Sequence, residues 1–217
     1  MQTSIKLGDK IELVKKTDLL DADIYFSMIY SIDDELLRIQ APIESGKIIP
    51  LEFDATYYMN VYTEKGLLRA ETVLEQREKT EHLHILAMKP LTMFKKYQRR
   101  QYYRLNCTLN LIFQDAQTKE VGEGTVLDIS GGGMRFSTAK QLSEEEVITC
   151  HLCLRLKEET VDLDVKGKII QSKIIEPEKI AFQNRLEFID LSLEKQETII
   201  KFIFEEERRR RKKEKGM

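Results

Sequence analysis

The chain has 217 residues, enough for one large domain or two small ones. Its 35 basic and 37 acidic residues leave a net charge of -2, which excludes a globally basic nucleic-acid binder and leaves room for a local basic site. A hydrophobic content of 41% fits a soluble globular protein, and no apolar run approaches the ~20 residues of a membrane helix.

The opening residues, MQTSIKLGDKIEL, carry no signal-peptide core, so a cytoplasmic location is expected. Three cysteines, an odd number, fit a reducing compartment rather than a disulfide framework.

The first block, 1–94, reads as β. IELV, IYFSMIY, ELLRI, IIPLEF, YYMNVYT, LLRAETVL and HLHILAM are short runs rich in Ile, Leu, Tyr and Val. Ile11 and Leu13 alternate with Glu12, and turn-prone pieces such as ESGK and TEKG separate the runs. Short strands at this spacing predict an antiparallel barrel or sandwich.

Next comes KKYQRRQYYRLN. Between Lys95 and Arg104 lie two lysines, three arginines and no acid, interleaved with Tyr97, Tyr102 and Tyr103. Most charge runs are solvated, and a basic linker would be ordinary. Here arginine outnumbers lysine, and Arg99, Arg100 and Arg104 lie close in sequence. Guanidinium recognises phosphate bidentately and stacks on flat bases, so this spacing suits a compact ligand with several phosphates and bases.

A second β block follows, with CTLNLIF, VGEGTVLDIS, MRFST, VITCHLCLRL, VDLDVKGKIIQSKII and IAFQNRLEFI as strands. About six strands over this length would close as a small barrel. Gly167 inside a long strand suggests a bend or bulge. The turn DISGGG, Asp128 to Gly133, offers a carboxylate for an N–H edge such as that of guanine, and a hydroxyl on Ser130. Its glycines permit positive φ and let a ligand approach the backbone. By itself it is a structural hairpin.

The chain ends in a predicted helix. Ser192 is its N-cap, Glu194 and Glu197 suit its positive end, and Leu193, Ile200, Ile203 and Phe204 form its apolar face. From Glu205 onward seven basic and four acidic residues form a solvated tail.

Catalytic constellations are weak. Cys150 and Cys153 have C-x-x-C spacing, but three residues apart in a strand they face opposite sides. His82 and His84 share a strand face without a third ligand, and Asp162 and Asp164 sit beside Lys166 and Lys168 as a solvated face. ISGGG lacks the nucleophile elbow, and no phosphate-binding glycine motif is present. A non-enzyme without metal or cofactor is expected.

Two stretches together resemble one family. R-x-x-x-R, here Arg100-Gln101-Tyr102-Tyr103-Arg104, followed by [DN]-x-S-x-x-G, here Asp128-Ile129-Ser130-Gly131-Gly132-Gly133, is the signature of PilZ domains, receptors for cyclic di-GMP. The preceding β block, the basic junction and the final helix are similar to YcgR-like flagellar brake proteins. The resemblance implies an all-β chain of two small barrels with a C-terminal α-helix. These are an N-terminal split barrel over 1–94, a ligand-binding linker over 95–104, and a six-stranded PilZ barrel with the helix over 105–217. It implies that Arg100 and Arg104 grip phosphates and stack on guanine, that Asp128 and Ser130 contact guanine and phosphate, and that Gly133 lets the ligand sit close. Arg99, directly before the first motif, implies a stacked pair of ligands. The sequence departs from many PilZ domains in having Asn184, Arg185 and Leu186 before Phe188, which reshapes the barrel wall or supplies another cation.

The expected output is regulation of flagellar motility, with re-angled barrels presenting a surface to a stator or rotor protein at the inner face of the membrane. Control of polysaccharide production or secretion by the same ligand is the alternative output. A single-stranded nucleic-acid binder is the alternative of another class, disfavoured by the acidic balance and the intact second motif.

Overall fold

The computed structural model describes residues 4–17, 23–33, 35–80, 83–176, 181–214 and 216. The chain divides into two compact units, Met1–Arg99 and Arg100–Met217.

The first unit holds β1 (Lys10–Lys15), β2 (Ile24–Ile32), β3 (Leu37–Gln40), the small hairpin β4 (Ile43–Glu44) and β5 (Lys47–Ile48), β6 (Thr56–Thr63), β7 (Gly66–Lys79), β8 (His84–Pro90) and β9 (Lys95–Lys96). Strands β6, β1, β2, β3, β8 and β7 lie side by side, and β7 pairs back onto β6 to close six strands into a barrel. Alternation sets which side faces in: Ile11 and Leu13 of β1 join Met59 and Val61 of β6 in the core. The ESGK turn is a tight hairpin, with Ser45 and Gly46 both at positive φ. IIPLEF does not form a strand beyond Ile48. Pro50 lacks the N–H a ladder needs, and Leu51 is instead buried in the core.

The second unit holds β10 (Leu105–Asp115), β11 (Val121–Ser130), β12 (Gly133–Thr138), β13 (Val147–Arg155), β14 (Thr160–Glu176), β15 (Ala181–Ile189) and α1 (Leu193–Glu214). The six strands close in the order β10-β11-β12-β15-β14-β13. Gly167 is not a bulge. It pairs regularly with Ile148 and Phe188, and a side chain there would meet the Leu186 side chain at 2.1 Å. The irregularity falls later, between Ile169 and Gln171.

Helix α1 begins where Ser192 Oγ accepts from Lys195 N at 3.4 Å. It buries Ile199, Phe202 and Ile203 against the second barrel's core. The face differs from the sequence expectation: Leu193 is 76% exposed and Phe204 55% exposed. Nor is the basic end a detached tail, because the helix runs on to Glu214. Glu205 Oε2 accepts from Lys157 N at 2.6 Å, and Arg209 Nη2 donates to the Arg155 carbonyl at 2.6 Å.

Candidate functional site: an arginine cluster on the second barrel

The segment Arg100–Arg104 leads into β10, and Tyr102 fixes it in place. Its ring lies over the turn that follows β11. A side chain on Gly131 would meet the ring at 2.7 Å, and one on Gly132 at 3.2 Å. The Tyr102 hydroxyl accepts from Gln196 Nε2 at 3.1 Å, and the same amide donates to the Gly131 carbonyl at 2.9 Å. The two motifs, separated in sequence, are thus joined by the tyrosine that stands between the two arginines. Tyr103 is exposed instead, and partial desolvation, then the charge of Glu207 on α1, raises its hydroxyl above its ordinary value.

The glycines of the turn have a different purpose from the one their type suggests. None of the three takes a positive φ. Gly131 and Gly132 make room for Tyr102, and Gly133 makes room for β15, since a Cβ there would lie 2.2 Å from the Leu186 carbonyl oxygen. Ser130 closes the hairpin: its hydroxyl donates to the Gly133 carbonyl at 3.0 Å and accepts from Gly132 N at 3.4 Å.

Asp128 points outward because β11 is irregular. Val126 and Ile129 both enter the core although three residues apart. The shift in pairing between Val126 and Asp128 reverses the alternation and turns Asp128 away from the core to the outer face, where it stays sheltered at 9% exposure. From there a polar row crosses the barrel wall. Asn106 of β10 stands opposite Asp128, which stands opposite Arg135 of β12, then Arg185 of β15, then Gln171 of β14. Arg135 Nε donates to Asp128 Oδ2 at 2.6 Å.

Arg104 registers the charge density of this row. Partial desolvation, then the like charges of Arg100, Arg185 and Arg135, push its guanidinium below its ordinary value, against the opposing pull of Asp128. Four guanidiniums therefore act around one carboxylate, an arrangement that favours a polyanion with flat groups. Arg185 supplies the extra cation that the departure before Phe188 suggested, while Asn184 turns inward and donates to Thr138 Oγ1 at 3.0 Å. Arg135 was not singled out from sequence. Its signal was available: two residues beyond Gly133, it is paired back onto Asp128 by the hairpin.

Arg99 is placed elsewhere. It ends the first unit, where Nη1 donates to Glu12 Oε2 at 2.9 Å. Lys96 is also held there, through the pairing of β9 with β7. The second unit gathers Arg100, Arg104, Asp128, Ser130 and Gly133.

The PilZ domain model matches residues 98–205, and the model described as flagellar protein YcgR matches residues 6–90. The chain is a PilZ domain protein of the YcgR-like family. No curated protein matches it. Among solved structures it is similar to the inhibitor of motility MotI/DgrA of Bacillus subtilis, with 19% identity, a TM-score of 0.78, and coverage of 95% of this chain and 100% of that one. It is also similar to YcgR of Escherichia coli in complex with c-di-GMP, with 16% identity, a TM-score of 0.57, and coverage of 95% and 88%.

Other clusters on the PilZ barrel have structural explanations. Cys150 lies in the core, where burial pushes its thiol up to about 12, while Cys153 is exposed on the other side of β13. Asp164 Oδ1 lies 2.7 Å from His151 Nδ1, opposite it on β13, rather than standing alone in solvent. His82 lies outside the described residues. Among the described residues, no three His, Cys, Asp or Glu side chains are arranged to hold a metal, and no helix is long and apolar enough to cross a membrane.

Proposed function

We propose that this chain is a non-catalytic receptor for cyclic di-GMP that regulates flagellar motility. The observation that carries the reading is the row on the PilZ barrel in which Asp128 stands opposite Arg135 and Arg135 opposite Arg185, with Arg100 and Arg104 leading into β10 next to it. A ligand with two phosphates and two guanines answers both halves of that cluster. Arg100 and Arg104 take phosphate and stack on guanine. Asp128 accepts from a guanine N–H edge, Ser130 lies at the phosphate, and Gly133 keeps the turn low beneath the ligand. Arg135 and Arg185 extend the cationic wall. Arg99 takes the phosphate of a second, stacked ligand.

The solved complex of YcgR with c-di-GMP supports the choice of ligand, and the motility inhibitor supports the output. In this reading, gripping the ligand draws the arginines of the segment 95–104 from their ligand-free contacts and changes the arrangement of the barrels. That change presents a surface to a stator or rotor protein at the inner face of the membrane.

Calorimetry with cyclic di-GMP tests the receptor. Each charge-assisted contact contributes about 1.5–3 kcal/mol, so Arg100→Ala and Arg104→Ala should each weaken binding about ten-fold or more. Absence of binding to the native chain overturns the reading. A stoichiometry of one removes only the stacked pair. Capture of partners with and without ligand tests the output, and recovery of a polysaccharide synthase in place of a motor protein would reassign it.

A further inference from the structure

Glu12 is an unusual residue for its position. It stands in the middle of β1 between two core residues, Ile11 and Leu13, and is only 6% exposed. A carboxylate this sheltered is costly unless donors surround it. Three do. The Tyr62 hydroxyl donates to Oε2 at 2.7 Å, Asn60 Nδ2 donates to Oε1 at 2.8 Å, and Arg99 Nη1 reaches both oxygens, at 2.9 and 3.2 Å.

The arrangement extends across the barrel. Glu12 pairs with Asn60, and Asn60 with Arg69, on β1, β6 and β7. Arg69 Nε donates to Asn60 Oδ1 at 2.7 Å, and its guanidinium stacks 3.4 Å from the Tyr97 ring centroid. Tyr97 N donates to the Leu67 carbonyl at 2.9 Å. The basic segment up to Arg99 is therefore fastened to the first barrel, and its last side chain is fastened by Glu12.

We propose that Glu12 is an internal competitor for the ligand, its carboxylate taking the Arg99 guanidinium that a ligand phosphate takes in the bound state. This rests on the receptor reading, in which Arg99 contacts phosphate. Carboxylate and phosphate diester are both oxyanions that accept bidentately from guanidinium, so one substitutes for the other without new chemistry. The remaining donors make release feasible. When Arg99 leaves, Tyr62 and Asn60 still bond Glu12, so no bare charge is left in the barrel wall. A plain structural pin would hold the segment equally well, but it would have no influence on ligand affinity.

The test is calorimetry with cyclic di-GMP on the full chain and on Glu12→Gln, Arg99→Ala and the double variant, with thermal melts confirming that each folds. Glu12→Gln should bind the ligand about five-fold or more tightly, in the range typical of coupled sites. In the Arg99→Ala background the same change should have no effect. Tyr62→Phe provides an independent reading: without the hydroxyl, Glu12 depends more on Arg99, and ligand affinity should fall. Unchanged or weaker binding by Glu12→Gln, or an equal gain without Arg99, overturns the inference and leaves the receptor reading intact. Absence of binding by the native chain overturns both.

Discussion

Arg135 stands directly opposite Asp128 across β11 and β12, and its Nε donates to Oδ2 at 2.6 Å. The pair makes Asp128 the counter-ion of a cluster that otherwise consists of like charges. Asp128→Ala removes that counter-ion while the guanidiniums remain. It should lower the stability of the ligand-free chain by about 1–3 kcal/mol in urea unfolding. Under the receptor proposal it should also weaken cyclic di-GMP binding, because the guanine edge would lose its proposed acceptor. An Asp128→Ala chain that unfolds at the native urea midpoint would show that Asp128 does not balance the cluster.

Gly133 separates a packing requirement from a binding one. A Cβ at this position would lie 2.2 Å from the backbone oxygen of Leu186, which a rotamer change cannot relieve. Gly133→Ala should therefore destabilise the PilZ barrel by about 1–3 kcal/mol or more without any ligand present. Gly132→Ala meets only the Tyr102 ring, at 3.2 Å, and should cost less. Urea melts of the two variants give the order, and equal midpoints would contradict it.

The thiols should differ sharply in reactivity. Burial pushes Cys150 up to about 12 and Cys107 up to about 11, whereas Cys153 is exposed. Cys153 is itself held above its ordinary value, first by its hydrogen bond to Asp162. A thiol reagent at mild alkaline pH should label one cysteine in the folded chain and all three after denaturation. Asp162→Asn should speed the labelling of Cys153. Rapid labelling of Cys150 in the folded chain would contradict its place in the core.

The helix shows where sequence patterning is sufficient and where it fails. Alternation revealed the long strands of both blocks, because each has one face in a core and the other outside, but it left the first block as a barrel or a sandwich, and the family resemblance chose the barrel. In α1 the apolar positions are denser than one face needs, so the stripe Leu193, Ile200, Ile203 and Phe204 was as compatible with a helix as the buried set Ile199, Phe202 and Ile203. Only the docking against the barrel chooses between them. Phe202→Ala should cost about 3–5 kcal/mol, while Phe204→Ala should stay within about 0.5 kcal/mol, measured by unfolding.

The candidate site was legible to a similar degree. Arg100, Arg104, Asp128 and Ser130 were marked by their own spacing. Arg135 and Glu12 were not, because one acts through a cross-strand pairing and the other through a contact between residues 87 apart. The glycines were recognised, but their reason was not: the space they leave is filled by Tyr102 and β15 rather than by a left-handed backbone.

Glu12 gives the first barrel a pH dependence whose sign follows from its partners. Burial alone would raise its carboxyl, but hydrogen bonds from Tyr62, Arg99 and Asn60 outweigh it and hold the group below its ordinary value of 4.5. The folded chain thus takes up the proton less readily than the unfolded chain. The stabilisation is fully present above the ordinary value and is lost as pH falls through the lower, folded value. The groups facing Glu12 do not titrate in that window: Arg99 and Tyr62 are both raised from already high values. Thermal melts should be nearly level between about pH 5 and 7 in this contribution and fall in more acidic solution. Glu12→Gln should melt lower than the native chain at neutral pH, and the gap should close as the native chain is acidified. A gap that stays constant down to the acid end would show that the Glu12 charge adds nothing to the fold, and that its contact with Arg99 is held by geometry alone.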